Sequence, residues 1–124
     1  MNINKTFSSK APARVCLFGD HQDYLGLPVI ACAIDKYIRI EGKKNNTRIL
    51  SFCLFDLDKT IEICIDEIST KPIKGDHIRF VLYTLNKLGC QMNTGMIIKI
   101  NSSIYINAGI SSSSALIVCL VDFI

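Results

Sequence analysis

Two hydrophobic periods divide this chain, and their order limits the folds open to it. From Ile34 onward, Ile34, Lys36, Ile38 and Ile40 share one face, with Asp35, Tyr37 and Arg39 on the other. Ile61, Ile63 and Ile65 alternate in the same way. Period two marks a strand with one face covered. After "KPIKGD" the spacing lengthens, and Ile78, Val81, Leu82, Leu85 and Leu88 fall at helical intervals. Asp76 is placed to cap that helix, and Gly89 suits its stop. "ARVCLF" reads as a buried strand ending at Gly19, and "PVIACAIDKYIRIEG", "RILSFCLF", "TIEICI" and "GMIIKI" read as further strands. "KKNNT" is a turn, and "DLDK" joins its neighbours as a hairpin. "NSSIYINAG" reads as a loop with some extended character, and "SSSSALIVCLVDFI" opens a second helix. The order β-β-β-β-α-β-α is an α+β arrangement.

The chain has 124 residues, 49% hydrophobic and 20% charged, the balance of an ordinary globular domain. Its net charge of +3 is mild, and only Lys43 and Lys44 are adjacent cations, which argues against a nucleic-acid partner. Six cysteines lie mostly within apolar runs and form no C-x-x-C pair. That pattern predicts buried, reduced thiols in a cytoplasmic protein. "MNINKTFSSK" lacks the apolar core of a secretory signal, and "ALIVCLV" is too short to span a bilayer, so no membrane partner is expected. The last helix is apolar all round and should be buried on every side. One domain of this size could hardly surround it, so the sequence reads as the incomplete part of a larger protein.

Two stretches carry candidate chemistry. In "APARVCLFGDHQDYLG", residues 11–26, an apolar run breaks at a glycine into Asp20, His21, Asp23 and Tyr24. The turn could be a solvated hairpin, a metal site or a pocket for a polyhydroxylated ligand. The three polar residues lie too close in sequence to converge on one ion without strain. Carboxylates that accept pairs of hydroxyl hydrogen bonds, beside a histidine, suit a sugar better. Arg14 sits on a strand whose usual face is apolar, so it should need an anionic partner, either a carboxylate or a transferring phosphoryl group. In "INAGISSSSAL", residues 106–116, a small-residue loop leads into serines at a helix start. That arrangement can hold an anion, with hydroxyls in reach of phosphate oxygens or a divalent cation. Serine is also favoured as a plain N-cap, and no G-K-[ST] follows.

Both elements, in this order, resemble the GHMP kinase superfamily. "ARVCLFGDHQDYLG" is similar to the galactokinase signature G-R-x-N-L-I-G-E-H-x-D-Y-x-G, and "AGISSSSA" to the second motif, P-x-x-x-G-L-[GS]-S-S-A. The resemblance implies the family's N-terminal domain, a ribosomal-protein-like fold with a left-handed β-α-β unit, here residues 1–124 without the C-terminal domain. It implies that Arg14 is catalytic and stabilises the reacting hydroxyl and the charge on the transferred phosphoryl group. Asp20, His21 and Asp23 then bind the sugar hydroxyls, with Tyr24 and Gly26 shaping the turn. Ala108, Gly109, Ile110, Ser111, Ser112 and Ser113 form the ATP phosphate loop, and Ser112 binds Mg²⁺.

Departures from the signature are Ala13 for glycine, Cys16 for asparagine and Asp20 for glutamate, with Tyr105 where the second motif has proline. The shorter Asp20 favours a galactokinase-like sugar kinase over a strict galactokinase. The expected activity is ATP-dependent phosphorylation of a sugar hydroxyl, at the anomeric position. The alternatives are a mevalonate-kinase-like enzyme acting on a non-sugar alcohol, or a non-catalytic sugar- or nucleotide-binding fragment. By the resemblance, the catalytic aspartate lies beyond Ile124. Asp122 comes too early in the helix to replace it, so these residues alone should be inactive.

Overall fold

A computed structural model of the chain describes residues 5–105 and 112–124. The alternating segments become five strands: β1 (Thr6–Phe18), β2 (Ile30–Lys44), β3 (Ile49–Leu54), β4 (Lys59–Cys64) and β5 (Met96–Ser102). The segments of helical period become α1 (His77–Lys87) and α2 (Ser112–Phe123). One mixed sheet has the order β1-β2-β5-β3-β4. β5 enters the centre, antiparallel to β2 and parallel to β3. The "DLDK" hairpin forms as expected, with β3 and β4 antiparallel.

Alternation decides which face is covered. Ala11, Ala13, Ile38, Ile40, Leu50, Phe52, Ile63, Met96, Ile98 and Ile100 all point to one side. There they meet Ile78, Val81 and Leu82 of α1 and Ala115, Cys119 and Leu120 of α2 in a single core. The opposite face of the sheet carries the charged residues of the same strands and has no helix on it among the described residues.

Asp76 does cap α1. Its Oδ1 accepts from the Arg79 N–H at 3.1 Å, and Oδ2 takes the Arg79 guanidinium at 2.8 Å. Burial raises the affinity of this carboxyl for its proton, but the bonds from Arg79 outweigh burial and hold it below the usual carboxylate range. A carboxyl depressed by folding contributes stability above its unfolded pKa and loses it as pH falls through the folded value. Asp76→Ala should therefore cost about 1 kcal/mol at neutral pH. The deficit should shrink below about pH 4, where the unfolded carboxyl protonates. Urea midpoints between pH 7 and pH 3 measure both; a deficit independent of pH would remove the ionised cap.

Three expectations need correction. β1 begins upstream of "ARVCLF", at Thr6, because "TFSSK" also alternates. Its buried position is filled by Ser9, whose hydroxyl donates to Asp122 Oδ2 at 2.7 Å, so a small polar residue masks the pattern. α2 is covered on one side only, and Val118 and Val121 face outward, as expected of an apolar helix that one domain of this size could hardly surround. Among the cysteines only Cys119 is buried; Cys16, Cys53 and Cys64 are intermediate, Cys32 and Cys90 are exposed, and all six are free thiols. Arg14 is exposed, since β1 turns it away from the core face that holds Ala11 and Ala13.

Candidate functional site

The first candidate site stands on an extension of the sheet. β2 pairs with β5 only from Ile38 to Lys44, whereas β1 and β2 continue together to Phe18 and Ile30. Residues 14–18 and 30–33 thus form a two-stranded ribbon beyond β5. At its tip Gly19 has φ +87°, and a Cβ there would lie 2.7 Å from the Pro28 carbonyl oxygen. Only glycine fits such a position. Gln22 N–H donates back to the Gly19 carbonyl at 3.0 Å, and Leu25 and Leu27 N–H donate to the Gln22 carbonyl. A single 3₁₀ turn, Asp23–Leu25, closes where the Gly26 N–H meets the Asp23 carbonyl at 3.0 Å.

This turn groups the five residues the sequence singled out. Asp23 Oδ1 accepts the Tyr24 N–H at 3.0 Å, and His21 Nε2 lies 3.8 Å from Asp20 Oδ2. His21 adopts φ +63°, a left-handed conformation that non-glycine residues seldom take. Strain of this kind concentrates at ligand sites, where surrounding structure holds it in place. Every residue from Asp20 to Gly26 is exposed. Apolar side chains border the polar group, with Phe18 70% and Leu25 63% exposed. A sugar needs both features, since its hydroxyls want hydrogen bonds and its C–H faces want apolar contact.

The second candidate site opens α2. Residues 108–111, from Ala108, Gly109, Ile110 and Ser111, lie outside the described residues. Ser112 and Ser113 are the first residues of the helix and line a depression of about 240 Å³. Leu54, Leu57, Ile104 and Leu116 give it apolar walls, and Asp56 and His77 add polar groups. His77 is the first residue of α1, so both helix N-termini open onto one depression. Each N-terminus carries partial positive charge. Asp56 is held in place by the Ser102 N–H, which donates to its Oδ2 at 2.7 Å. No continuous stretch of sequence announces this pocket, because its walls come from a hairpin, a loop and two helices. The one available signal was the pair of apolar residues at the "FDLD" turn, Phe55 and Leu57, both exposed.

The two sites share one end of the molecule. The Ser9–Asp122 bond ties the last turn of α2 to β1. From there, ten residues of helix lead back about 15 Å to Ser112. Five residues of strand lead about 17 Å to Arg14. Ile38, the cross-strand partner of Ala11, also lines the depression beside Ser112. The start of α2, Arg14 and the ribbon therefore lie toward the same end of the sheet, and Asp122 lies toward the other.

A serine-led helix, an apolar slot beside it and a polar turn on a projecting ribbon stand on a mixed sheet whose fold matches the N-terminal domain of GHMP kinases. Solved structures share this fold. The Methanococcus jannaschii mevalonate kinase superposes with a TM-score of 0.80 at 29% identity, covering 95% of this chain and 39% of that one. Lactococcus lactis galactokinase complexed with galactose gives a TM-score of 0.81 at 21% identity, covering 95% and 31%. Residues 2–44 match the galactokinase galactose-binding signature. Over 107 residues the chain is 34% identical to the galactokinase of Thermosipho africanus, covering 86% of this chain and 29% of its relative. The chain is thus similar to the N-terminal part of galactokinases and mevalonate kinases, and it has the fold of the GHMP kinase N-terminal domain. It spans less than two-fifths of these relatives' lengths and corresponds to their N-terminal part.

Proposed function

We propose that this chain supplies the sugar-recognising and nucleotide-phosphate-binding part of an ATP-dependent kinase that phosphorylates a sugar hydroxyl at the anomeric position. The observation that carries the reading is the shared end of the fold, where the strained polar turn and the two helix N-termini both lie. Asp20, His21 and Asp23 hydrogen-bond the sugar hydroxyls, while Tyr24 and Gly26 fix the turn. Arg14, exposed on the ribbon, supplies positive charge to the reacting hydroxyl and the transferred phosphoryl group. Phosphoryl transfer depends mainly on such positioning and charge neutralisation.

ATP lies with its phosphates on the loop from Ala108 to Ser113 and its base in the slot lined by Leu54, Leu57, Ile104 and Leu116. Ser112 and Asp56, which line that slot, offer hard oxygen donors of the kind that would hold Mg²⁺. Bound there, Mg²⁺ neutralises phosphate charge. Asp122 is not assigned the proton, because it is engaged with Ser9 at the far end of α2.

Asp23→Ala tests the assignment. Losing a charged hydrogen-bond acceptor should weaken sugar binding about 10- to 100-fold. ATP binding should stay within about twofold, because none of the described residues that line the slot belongs to the turn. Calorimetric titration with galactose, other monosaccharides and ATP reads both. Equal losses would mean that the two sites are mis-assigned. The mevalonate kinase superposition favours a second reading, a non-sugar alcohol as acceptor; binding of mevalonate but of no sugar would establish it.

A further inference from the structure

We propose that the open face of the sheet carries a second anion site, formed by Lys10, Arg39 and Asn101 and fitted to the phosphate group of a small phosphate ester. It lies on the side of the sheet opposite the helices and contains none of the residues assigned above. Lys10 is the direct cross-strand partner of Arg39, and Arg39 is the direct partner of Asn101. Three donor side chains therefore stand in one row across β1, β2 and β5, all exposed. Neighbours in such a row have Cβ atoms about 4.5–5.5 Å apart, close enough for long side chains to converge on one anion.

Like charges placed directly opposite each other destabilise a sheet. Here no ion pair among the described residues neutralises the pair. The ion pairs among the described residues are His21–Asp20, Arg48–Asp66 and Arg79–Asp76, and none involves Lys10 or Arg39. The nearest carboxylate on this face, Glu41, sits two residues along β2 and is itself opposite Lys99. A local rule broken without internal compensation is a reason to look for an external partner.

The surroundings are shaped for one. Lys10, Tyr37, Arg39, Glu41, Asn101 and the serines at the end of β5 line a depression of about 420 Å³. Lys10 Nζ rests 3.7 Å from the centre of the Tyr37 ring, which steadies the ammonium over the depression. The floor is fixed as well: the Tyr37 N–H donates to Ser103 Oγ at 2.8 Å, and the Ser103 N–H donates to the Tyr37 carbonyl at 2.9 Å. A guanidinium, an ammonium and an amide together offer fork, point-charge and neutral donors to a phosphate.

The test is titration of the ¹⁵N-labelled chain at constant ionic strength, following the Arg39 Nε–H and the Asn101 side-chain amide. Reading these two signals separates this face from the start of α2, which also attracts phosphate. Inorganic phosphate and ribose 5-phosphate should each give saturable shifts, the ester binding at least as tightly as the free ion. Arg39→Gln should weaken both about tenfold. The same variant should melt no lower than the parent chain, because it removes a like-charge pair. Shifts that rise linearly, or that Arg39→Gln leaves unchanged, would mean an ordinary ionic atmosphere and overturn the proposal. A short oligothymidylate that binds far more tightly than ribose 5-phosphate would also overturn it, in favour of a nucleic-acid face.

Discussion

Phe52→Ala is expected to cost about 3–5 kcal/mol, the largest stability loss of any substitution considered for this chain. Phe52 is fully buried and is the largest of the residues with no exposed surface. It sits in the middle of β3, in register with Ile98 of β5 on one side and Ile61 of β4 on the other. Its removal leaves a cavity where the β3–β4 hairpin joins the rest of the sheet. That hairpin has no other strand neighbour, because β4 is an edge. Domains of this size are stable by about 5–15 kcal/mol, so the variant should lose a large share of its folded population. Phe55→Ala, three residues on and 58% exposed, should change stability by less than about 0.5 kcal/mol. Urea unfolding of both variants reads the contrast. Similar midpoints would mean that the sheet is not the cooperative core.

Much of this architecture was legible because alternation and helical period are local. Ile38 and Ile40, or Ile78, Val81 and Leu82, announce their covered face within a few residues, and all of them are buried. Ser9 shows where that logic stops. Its hydroxyl can be buried only because Asp122, at the other end of the chain, accepts its hydrogen bond. Arg14 fails differently, since the sequence shows a cation inside an apolar run but not that the strand points it outward. The polar turn was readable as a continuous motif, and the structure adds the ribbon that carries it and the left-handed backbone at His21. The slot beside Ser112 was not readable, because Leu54, His77, Ile104 and Ser112 meet only through the fold. Registry likewise hid the Lys10–Arg39 pair, which looked like scattered charge.

Gly19→Ala should disable the turn, and Gly26→Ala should not. Both glycines have positive φ, +87° and +71°, so each substitution carries the backbone cost of a left-handed conformation, about 1 kcal/mol. Their surroundings differ. The added carbon at Gly19 would meet the Pro28 carbonyl oxygen at 2.7 Å and Val29 at 3.0 Å, whereas Gly26 has nothing within 4 Å. The Pro28 carbonyl is backbone two residues before β2 and cannot rotate away like a side chain, so the chain on either side of the tip must separate. The Gln22 N–H bond to the Gly19 carbonyl, which starts the turn, is then strained as well. Gly19→Ala should therefore cost about 1–3 kcal/mol beyond the backbone penalty, the usual range for overpacking. On the proposed reading Asp20, His21 and Asp23 also lose their alignment, and a displacement of about 1 Å at such a site weakens function about 100-fold. Gly26→Ala should keep sugar affinity within about threefold, because its carbon enters open solvent. Urea midpoints and sugar titrations on the two variants give four numbers that separate contact from conformation. Equal losses at both positions would show that left-handed backbone alone, and not the close approach to Pro28, sets the shape of the turn.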